Sequence, residues 1–416
     1  MRTVFSVLLL VPLIAFGGIF ELFDQNLERS SSYLSALDAL KTAEVKLKRY
    51  TSFWNPTVTV SAKTITISED GVTPFTLSLD ASFLKFYGFS VGLSFPFKVD
   101  GDWNVSFEGA SLNISRGLKD EYGVERLQAE SELLSRKYGL KTAKNTVFMN
   151  TISDIFNWGY YSQRRKILEE KLNVLKRQRD AAVDEDKRKN LEREISSVEL
   201  ELKDIELKLS SLEGMDERLY AEAREILSKI EVPKTPKHEL REDLKAKELS
   251  AKVEEMKEKT WYLPYLPDVT FSFGYNFKDQ KWKIGIGFQM TLWDFGERRL
   301  EAESRKRSGA RLEYESALED FERGVKERLL KLERLGRQLA FSREDLMDAQ
   351  RNFEKAEKLH QLGFTSTEDF ELSKLSLLEK QLEIENLENT LILEKLNYLN
   401  FLGYDIVSLL KEGDAN

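Results

Sequence analysis

The sequence repeats one block, and this repeat constrains the possible fold more than any other feature. WNVSFEGASLNISRG runs from Trp103 to Gly117, and WKIGIGFQMTLWDFG runs from Trp282 to Gly296. In both copies the stretch between the tryptophan and the glycine is predicted as strand, and a very long charged helical stretch follows. The repeat therefore predicts two β-hairpins, each leading into helices that are too long for an ordinary globular domain.

Composition favours long, exposed helices over compact globular domains. Of 416 residues, 32% are charged, 41% are hydrophobic and only 8 are proline, so helix-breaking residues are rare. Lys and Glu are interspersed, which is typical of solvated helix faces and offers no basic surface for nucleic acid. The chain has no cysteine, and His238 and His360 are isolated from each other. We therefore predict no enzyme activity, no cofactor and no metal site.

The amino terminus predicts export from the cytoplasm. Arg2 precedes an apolar run, and Ala15 and Gly17 are small residues that suit signal peptidase. The run is shorter than the roughly 20 residues that span a bilayer. Residues 1–17 are therefore predicted to be a signal peptide, with an uncleaved anchor as the alternative. Since the sequence has no other such run, insertion into a membrane would have to use strands.

Helix breakers and hydrophobic periodicity divide the remaining chain into alternating helical and strand-rich segments. Pro233 and Pro236 mark the clearest linker, which lies between the two copies of the repeat. The predicted segments are an N-terminal helix 18–54, a first hairpin region 55–116, a first long helical hairpin 117–214, a mid-chain equatorial connector 215–238, a helix 239–264, a second hairpin 265–295, a second long helical hairpin 296–403 and a C-terminal tail 404–416.

Two helical stretches are long enough to form rods. They are expected from Gly117 to about Ala182 and from Glu297 to about Leu362, and about 66 residues at 1.5 Å per residue give roughly 100 Å. Apolar residues in the second stretch recur in steps of three and four, which predicts a coiled-coil seam. The first run of this seam consists of Leu318, Phe321, Val325, Leu329 and Leu332.

The second hairpin has the pattern of strands that cross a membrane. Apolar residues alternate with small or polar ones from Val269 to Phe277 and from Trp282 to Leu292. Each run has about the 9 to 11 residues of a tilted membrane strand, and such alternation is typical of an outer-membrane barrel. A soluble sandwich hairpin would alternate in the same way, but little else in the chain could cover the apolar face. The aromatic residues predicted at the membrane interfaces are Trp103, Trp261, Tyr262, Trp282 and Trp293.

The first hairpin region differs from the second in two ways. Its alternation slips after Phe107, which predicts a β-bulge near Glu108. It also contains an insertion between Pro56 and Trp103, with a further candidate hairpin around Gly71. The pattern leaves open whether this insertion adds strands to a barrel or forms a surface loop.

Two stretches resemble the TolC family of outer-membrane efflux proteins. GFQMTLWDFGERR, from Gly287 to Arg299, is similar to the end of a strand that leads into a long helix in that family. KLHQLGFTSTEDFELSKLSLLEKQ, from Lys358 to Gln381, is similar to the turn between the long helix and its returning partner. The two stretches occur in the family's order and spacing, and the resemblance covers most of the chain.

The resemblance implies a fold that is mainly α with a membrane β portion. It implies a homotrimer in which a long α-helical coiled-coil barrel crosses the periplasm and a shared 12-stranded β-barrel lies in outer-membrane lipid. A single chain offers four to six strands, which are too few to close a barrel. The resemblance further implies two partners, a periplasmic adaptor protein and an inner-membrane transporter. The residues implied at the periplasmic aperture are Gly363, Thr365, Asp369 and Glu371, and the acidic turn with Asp184 and Asp186 is equivalent in the first repeat.

Two functions are compatible with these features. The first is a passive exit duct for tripartite efflux or type I secretion, which carries small molecules or proteins across the outer membrane. The second is a structural tether, in which strands anchor coiled-coil rods in the outer membrane. A tether needs only one rod and one anchor, so the internal duplication favours the duct. For Asp369 the alternative to an aperture role is a carboxylate that caps a helix.

Overall fold

The structure is a computed structural model that divides into two compact units. It describes residues 18–52, 57–62, 67–68, 71–86, 88–119, 121–233, 240–290, 294–307 and 309–413. The helical unit consists of Met1–Leu34, Lys141–Leu240 and Glu322–Asn416, and the sheet unit of Ser35–Leu140 and Arg241–Phe321. The predicted signal peptide 1–17 lies outside the described residues, so its cleavage stays a prediction.

Most of the described chain is helical, in agreement with the composition. The helices are α1 Ile19–Arg29, α2 Ser31–Thr51, α3 Tyr122–Ala181, α4 Glu185–Ser210, α5 Glu217–Ser228, α6 Glu242–Lys259, α7 Glu297–Arg305, α8 Gly309–Gln361, α9 Thr367–Leu402 and α10 Ile406–Gly413. Within the part of the chain that the structure describes, no helix is long and apolar enough to cross a membrane.

The two predicted rods begin or continue differently from the prediction. The first rod does not start at Gly117, which ends a strand, but at Tyr122. The second rod is not continuous, because α7 ends at Arg305 and α8 starts at Gly309. Long-range contacts favour this break. The guanidinium of Arg305 pairs with Glu121 at 2.7 Å, and Glu254 accepts the backbone N–H of Ala310 at 2.7 Å.

The N-terminal helix is also divided, and the cause is a helix cap. Ser30 separates α1 from α2, and its hydroxyl accepts the backbone N–H of Tyr33 at 3.3 Å. A serine in extended conformation with this hydrogen bond is a preferred N-cap. The apolar periodicity continued across Ser30, so periodicity alone predicted one helix where the chain forms two.

The core of the helical unit lies where five helices meet. Side chains that are almost completely buried come from each of them, namely Ile19 and Phe23 of α1, Phe148, Ile152 and Ile155 of α3, Ala223 and Leu227 of α5, Leu396 and Leu399 of α9, and Ile406 of α10. The predicted connector 215–238 therefore contains a buried helix, and the predicted tail 404–416 contains α10, which docks into this core. Both segments are short, and only tertiary packing reveals their apolar faces.

Helix α3 carries two coiled-coil seams that are one residue apart. Leu168 and Leu175 pack against α4, whose buried residues Leu191, Val198 and Ile205 also follow a spacing of seven. The neighbouring residues Ile167 and Val174 pack against α9, on Leu375 and Leu382. Heptad spacing on two adjacent stripes lets one helix pack against two partners along its length.

The strands of the sheet unit form an antiparallel sheet. The strands are β1 Thr57–Ala62, β2 Ile67–Ser68, β3 Gly71–Val72, β4 Phe75–Phe86, β5 Phe89–Val99, β6 Val105–Phe107, β7 Ser111–Gly117, β8 Asp268–Asn276 and β9 Lys281–Gln289. Among the described residues the order is β1-β4-β5-β7-β8-β9, β6 pairs with the end of β5, and β2 and β3 form a separate small hairpin.

The predicted bulge near Glu108 is confirmed. Phe97 pairs with Phe107, whereas Ser94 pairs with Ser111, so β6 and β7 follow the same edge of β5 with one extra residue between them. Gly109 takes a φ of +107° there, a backbone conformation that side-chain-bearing residues rarely adopt. Because of the bulge, the apolar residues of β7 lie on the same face of the sheet as the apolar residues of β6.

The two copies of the repeat differ at their tryptophans. Trp282 lies in β9, opposite Tyr275. Trp103 lies in the turn between β5 and β6, with a φ of +64°, and its ring contacts the edge of Phe75 at a centroid distance of 6.1 Å. The strand predicted from Trp103 to Gly117 therefore begins later, at Val105, and is interrupted once, by the bulge.

The carboxylate of Asp405 makes the stability of the helical unit pH-dependent. Burial disfavours its charged form, but the ammonium of Lys144, 2.9 Å away, and the N–H of Ser408 outweigh burial and hold the pKa of Asp405 below its usual value. A lowered pKa stabilises the fold above the ordinary carboxyl pKa, and this contribution is lost as the pH falls through the folded pKa. We expect Asp405→Asn to lower the free energy of unfolding by about 1 kcal/mol at about pH 7.

Denaturant unfolding at a series of pH values checks this prediction. Asp405→Asn should weaken the loss of stability between about pH 5 and about pH 3. Asp348→Asn is the control, because Asp348 is exposed and pairs with Arg351 on the surface at 3.1 Å, where ion pairs contribute little. Equal effects of the two substitutions would contradict the assignment.

Candidate membrane face and helix-turn end

The register of the sheet aligns apolar residues in rows that cross every strand of the main path. One row joins Val58, Ala81, Leu93, Leu112, Tyr275 and Trp282, each paired directly with the next. Because side chains alternate between the faces of a strand, such rows lie on one face, which we call the apolar face. Within the described residues this face is continuous from β1 to β9.

The opposite face is polar and small in the same registers. The row adjacent to the apolar one joins Thr57, Ser82, Gly92, Asn113, Gly274 and Lys283, and another joins Thr59, Asp80, Ser94, Ser111, Asn276 and Lys281. We call this the polar face. A shift of one residue in any strand pair would mix the two faces, so the register itself separates apolar from polar chemistry.

The apolar face is largely exposed in the single chain. Ile284 is 70% exposed, and Ile286 and Phe288 are each 68% exposed. Water disfavours this much contiguous apolar surface, at about 25 cal/mol per Å², and exposed patches of this kind mark sites of protein or membrane contact. The face therefore requires a covering that the single chain does not supply in the described residues.

The predicted interface aromatics lie at both ends of the strands. Trp282 and Trp103 lie near the hairpin tips, and both are more than half exposed. Trp261 and Tyr262 lie before β8, at the opposite end, where their rings meet edge to face at 6.3 Å. The ammonium of Lys306 lies 3.6 Å above the ring of Trp261, a favourable cation–π contact. Trp293, the fifth predicted aromatic, lies outside the described residues.

A glycine-ended turn joins α8 to α9, as the sequence predicted. Gly363 has a φ of +76°. Its N–H donates to the carbonyl of His360 at 2.9 Å, and the N–H of Phe364 donates to the carbonyl of Leu359 at 2.9 Å. These two bonds define the Schellman motif that ends many helices. The carbonyl of Thr365 lies 3.1 Å from Nδ1 of His360, which fixes the turn further.

Asp369 does not cap the helix with its carboxylate. The cap of α9 is Ser366, whose hydroxyl accepts the backbone N–H of Asp369 at 3.1 Å. The carboxylate of Asp369 instead accepts a hydrogen bond from the side-chain amide of Gln178 in α3, at 3.1 Å. Glu371 forms an ion pair with Arg177, also in α3. The structure thus ties the start of α9 to the last turn of α3.

The second acidic pair lies in the turn after α3. Asp184 is the N-cap of α4, because its carboxylate accepts the backbone N–H of Asp186 at 3.1 Å. Since Arg177 and Gln178 contact α9 one turn before this point, the turns around Asp184 and Gly363 lie at the same end of the helical unit. We call this the turn end. Its acidic rim stays a prediction, because in the described residues the contact of the Asp184 carboxylate is with the backbone of Asp186.

The partners of Asp369 and Glu371 were not predicted from the sequence. They are Gln178 and Arg177. Their only sequence signal is that polar side chains occupy the last turn of α3, which is true of many helix ends. In the described chain no three His, Cys, Asp or Glu side chains come together in a way that could hold a metal ion.

Solved structures of outer-membrane channels have the same fold as this chain. The CmeC outer membrane channel of Campylobacter jejuni matches with a TM-score of 0.59 and 15% identity, over 95% of this chain and 88% of that one. The outer membrane protein VceC of Vibrio cholerae matches with a TM-score of 0.59 and 17% identity, over 92% of this chain and 96% of that one.

The open state of the MtrE outer membrane channel of Neisseria gonorrhoeae matches with a TM-score of 0.59 and 14% identity, over 93% of this chain and 89% of that one. No protein-family model matches the sequence, and no curated protein matches it either. At these identities the comparison establishes the fold, in which long helices accompany a sheet. The predicted fold class, mainly α with a β portion, is thereby confirmed, whereas the trimeric barrel stays a prediction.

The main path of the described sheet contains six strands, β1-β4-β5-β7-β8-β9. The insertion that the sequence left unassigned contributes β4, which pairs along its length with β5. The 12-stranded barrel that the resemblance implied is an assembly of three chains, so it stays a prediction.

Proposed function

We propose that this chain is a passive exit duct in the outer membrane, a channel of the TolC type that does not catalyse a reaction and needs no cofactor. The observation that carries the proposal is the apolar face, which continues in register across the strands of the main path while the polar face stays small and hydrophilic. Lipid would cover the apolar face, and water would fill the space beside the polar face.

Open sheet edges are not tolerated in lipid, so the barrel has to be closed by several chains. We propose a homotrimer, whose helices extend the duct into the periplasm. A periplasmic adaptor protein and an inner-membrane transporter would supply the cargo of a tripartite efflux or type I secretion system. The shared fold of outer-membrane channels supports this assignment.

The turn end is the proposed aperture of the duct. The contacts of Gln178 with Asp369 and of Arg177 with Glu371 hold α3 against α9 there. Threefold symmetry would place three copies of the exposed Asp369 carboxylate around one axis, and a ring of carboxylates attracts cations.

Conductance across a planar lipid bilayer tests the duct. The purified protein, reconstituted in lipid, should insert and pass ions in discrete steps. A trimer that inserts without conducting, even after the contacts at the turn end are removed by Arg177→Ala with Gln178→Ala, would contradict the duct and favour the structural tether.

Removing the carboxylate at position 369 should weaken cation preference. In a conducting channel under a salt gradient, we expect Asp369→Ala to reduce the permeability ratio of K⁺ to Cl⁻ roughly two-fold. The measurement is the reversal potential. Asp348→Ala removes the same charge from the C-terminal half of α8, several helical turns before the turn end, and should leave the reversal potential unchanged. An unchanged ratio for Asp369→Ala would remove Asp369 from the aperture.

A further inference from the structure

The sheet has two edges that other strands do not occupy in the described chain. β1 is paired on one side only, with β4, and β9 is paired on one side only, with β8. Every residue of β1 is exposed, and so is almost every residue of β9. Unpaired edges of this kind expose backbone N–H and C=O groups that readily accept another strand.

The directions of these two edges are suited to each other. Neighbours along the main path are antiparallel, and the path of the described sheet has an even number of strands, so β9 runs opposite to β1. A second copy can therefore add its β1 to β9 of the first as an antiparallel neighbour, and the same step can be repeated. The apolar residues Val58 and Val60 would then continue the apolar face, for example with Val60 opposite Ile284 and Val58 opposite Ile286.

The inserted strands belong to the same surface as the others. Phe83, Ala81 and Leu79 of β4 pair with Val91, Leu93 and Phe95 of β5, and these β5 residues lie on the apolar face. Ser82 and Asp80 of β4 pair with Gly92 and Ser94 on the polar face. A hairpin that extended from the barrel as a surface loop would not need to keep both faces in register with it.

We propose that β1 and β4 are barrel strands and that three copies close by pairing β9 of each with β1 of the next. This rests on the proposed function, which supplies the trimer. Six strands on the main path of each copy give a barrel of 18 strands, not the 12 that the resemblance implied. Each chain therefore carries its own interaction surface for a second copy at the two edges.

The consequence is a wider passage through the outer membrane. Barrel diameter grows in proportion to strand number, and with strands about 4.8 Å apart and tilted by about 40° an 18-stranded barrel is roughly 36 Å across its backbone, against roughly 24 Å for 12 strands. Barrels of about 16 to 18 strands enclose an aqueous channel. The membrane part of this duct would thus admit bulky hydrated cargo, and selection by size would take place elsewhere along the path.

Cross-linking of introduced cysteines tests the edge contact, and the chain suits it because it contains 0 Cys. Val60→Cys would be combined in turn with Ile284→Cys, Ile286→Cys or Phe288→Cys, all on the apolar face, so that each register is sampled. Membranes containing the full chain are treated with a short thiol cross-linker and run on denaturing gels. Each single cysteine variant is the matched control.

We expect at least one pair to yield covalent dimers and trimers, and the single variants to yield neither. The competing arrangement has four strands per chain and places β5 at the edge, so there Ile286→Cys would link to Phe95→Cys of the next copy. That product, or a conducting trimer in which Val60 links to none of the three positions, would overturn the 18-stranded barrel and leave the duct intact. A protein that forms no trimer and does not conduct would overturn the proposed function as well.

Discussion

Replacement of Gly159 by alanine should destabilise the helical unit by about 1–3 kcal/mol, although alanine is the better helix former. Gly159 lies in α3 directly beneath the ring of Tyr220, and a methyl group at position 159 would overlap that ring. The ring of Tyr220 must therefore move, or α3 and α5 must separate.

Tyr220 cannot move away easily. It is 6% exposed, its hydroxyl donates to Glu385 at 2.9 Å, and the side-chain amide of Asn389 donates to the same hydroxyl at 3.0 Å. Arg224 completes this cluster by pairing with Glu385 and with Glu388. Burial raises the pKa of Tyr220 to about 12, so its hydroxyl stays protonated and remains a donor. Displacing the ring would break several of these bonds together.

The control lies in the same helix. Nothing lies within 4 Å of a methyl group built at Gly139, so Gly139→Ala should stabilise the protein by about 0.5–1 kcal/mol. Unfolding by denaturant, followed by helical circular dichroism in detergent, measures both substitutions. Destabilisation by Gly159→Ala together with stabilisation by Gly139→Ala would support the close contact between Gly159 and Tyr220. Stabilisation by both substitutions would show that the ring of Tyr220 can move aside.

A lysine on the apolar face should prevent stable insertion into lipid, whereas a lysine on the polar face should not. Phe273 and Ser272 are neighbours in β8 and lie on opposite faces, opposite Ile284 and Gly285 of β9. A charged side chain that faces lipid near the middle of the bilayer costs about 2–4 kcal/mol. In a trimer this cost would occur three times, so we expect Phe273→Lys to abolish assembly in the membrane.

The matched variant is Ser272→Lys, whose side chain would enter the aqueous interior. We expect it to insert and assemble as the unmodified chain does, and to raise anion permeability. Recovery of the protein in washed membranes and its conductance measure the two outcomes. If Ser272→Lys were excluded from membranes while Phe273→Lys inserted, the assignment of the two faces would be reversed.

The accuracy of the sequence-based predictions varied with the range of the interaction that decides each feature. Helix α9 runs from Thr367 to Leu402, within the predicted helical hairpin 296–403, because a serine cap and a glycine turn mark its ends locally. The second hairpin, with strands Asp268–Asn276 and Lys281–Gln289, was equally clear because its alternation lies within a single turn-connected segment. The partners of Asp369 and Glu371 could not be predicted, because Gln178 and Arg177 are far away in sequence.

The sequence by itself determined that this chain alternates long charged helices with amphipathic strands, and that it does so twice, since periodicity and helix breakers act over a few residues. Only the tertiary structure decided that the insertion after Pro56 contributes strands to the main sheet and that the second rod breaks between Arg305 and Gly309. Both outcomes depend on pairing between distant segments, as in the register of β4 with β5 and the pairing of Glu121 with Arg305. An alternating pattern specifies the two faces of a strand but not its neighbour, and the neighbour decides how many strands join one sheet.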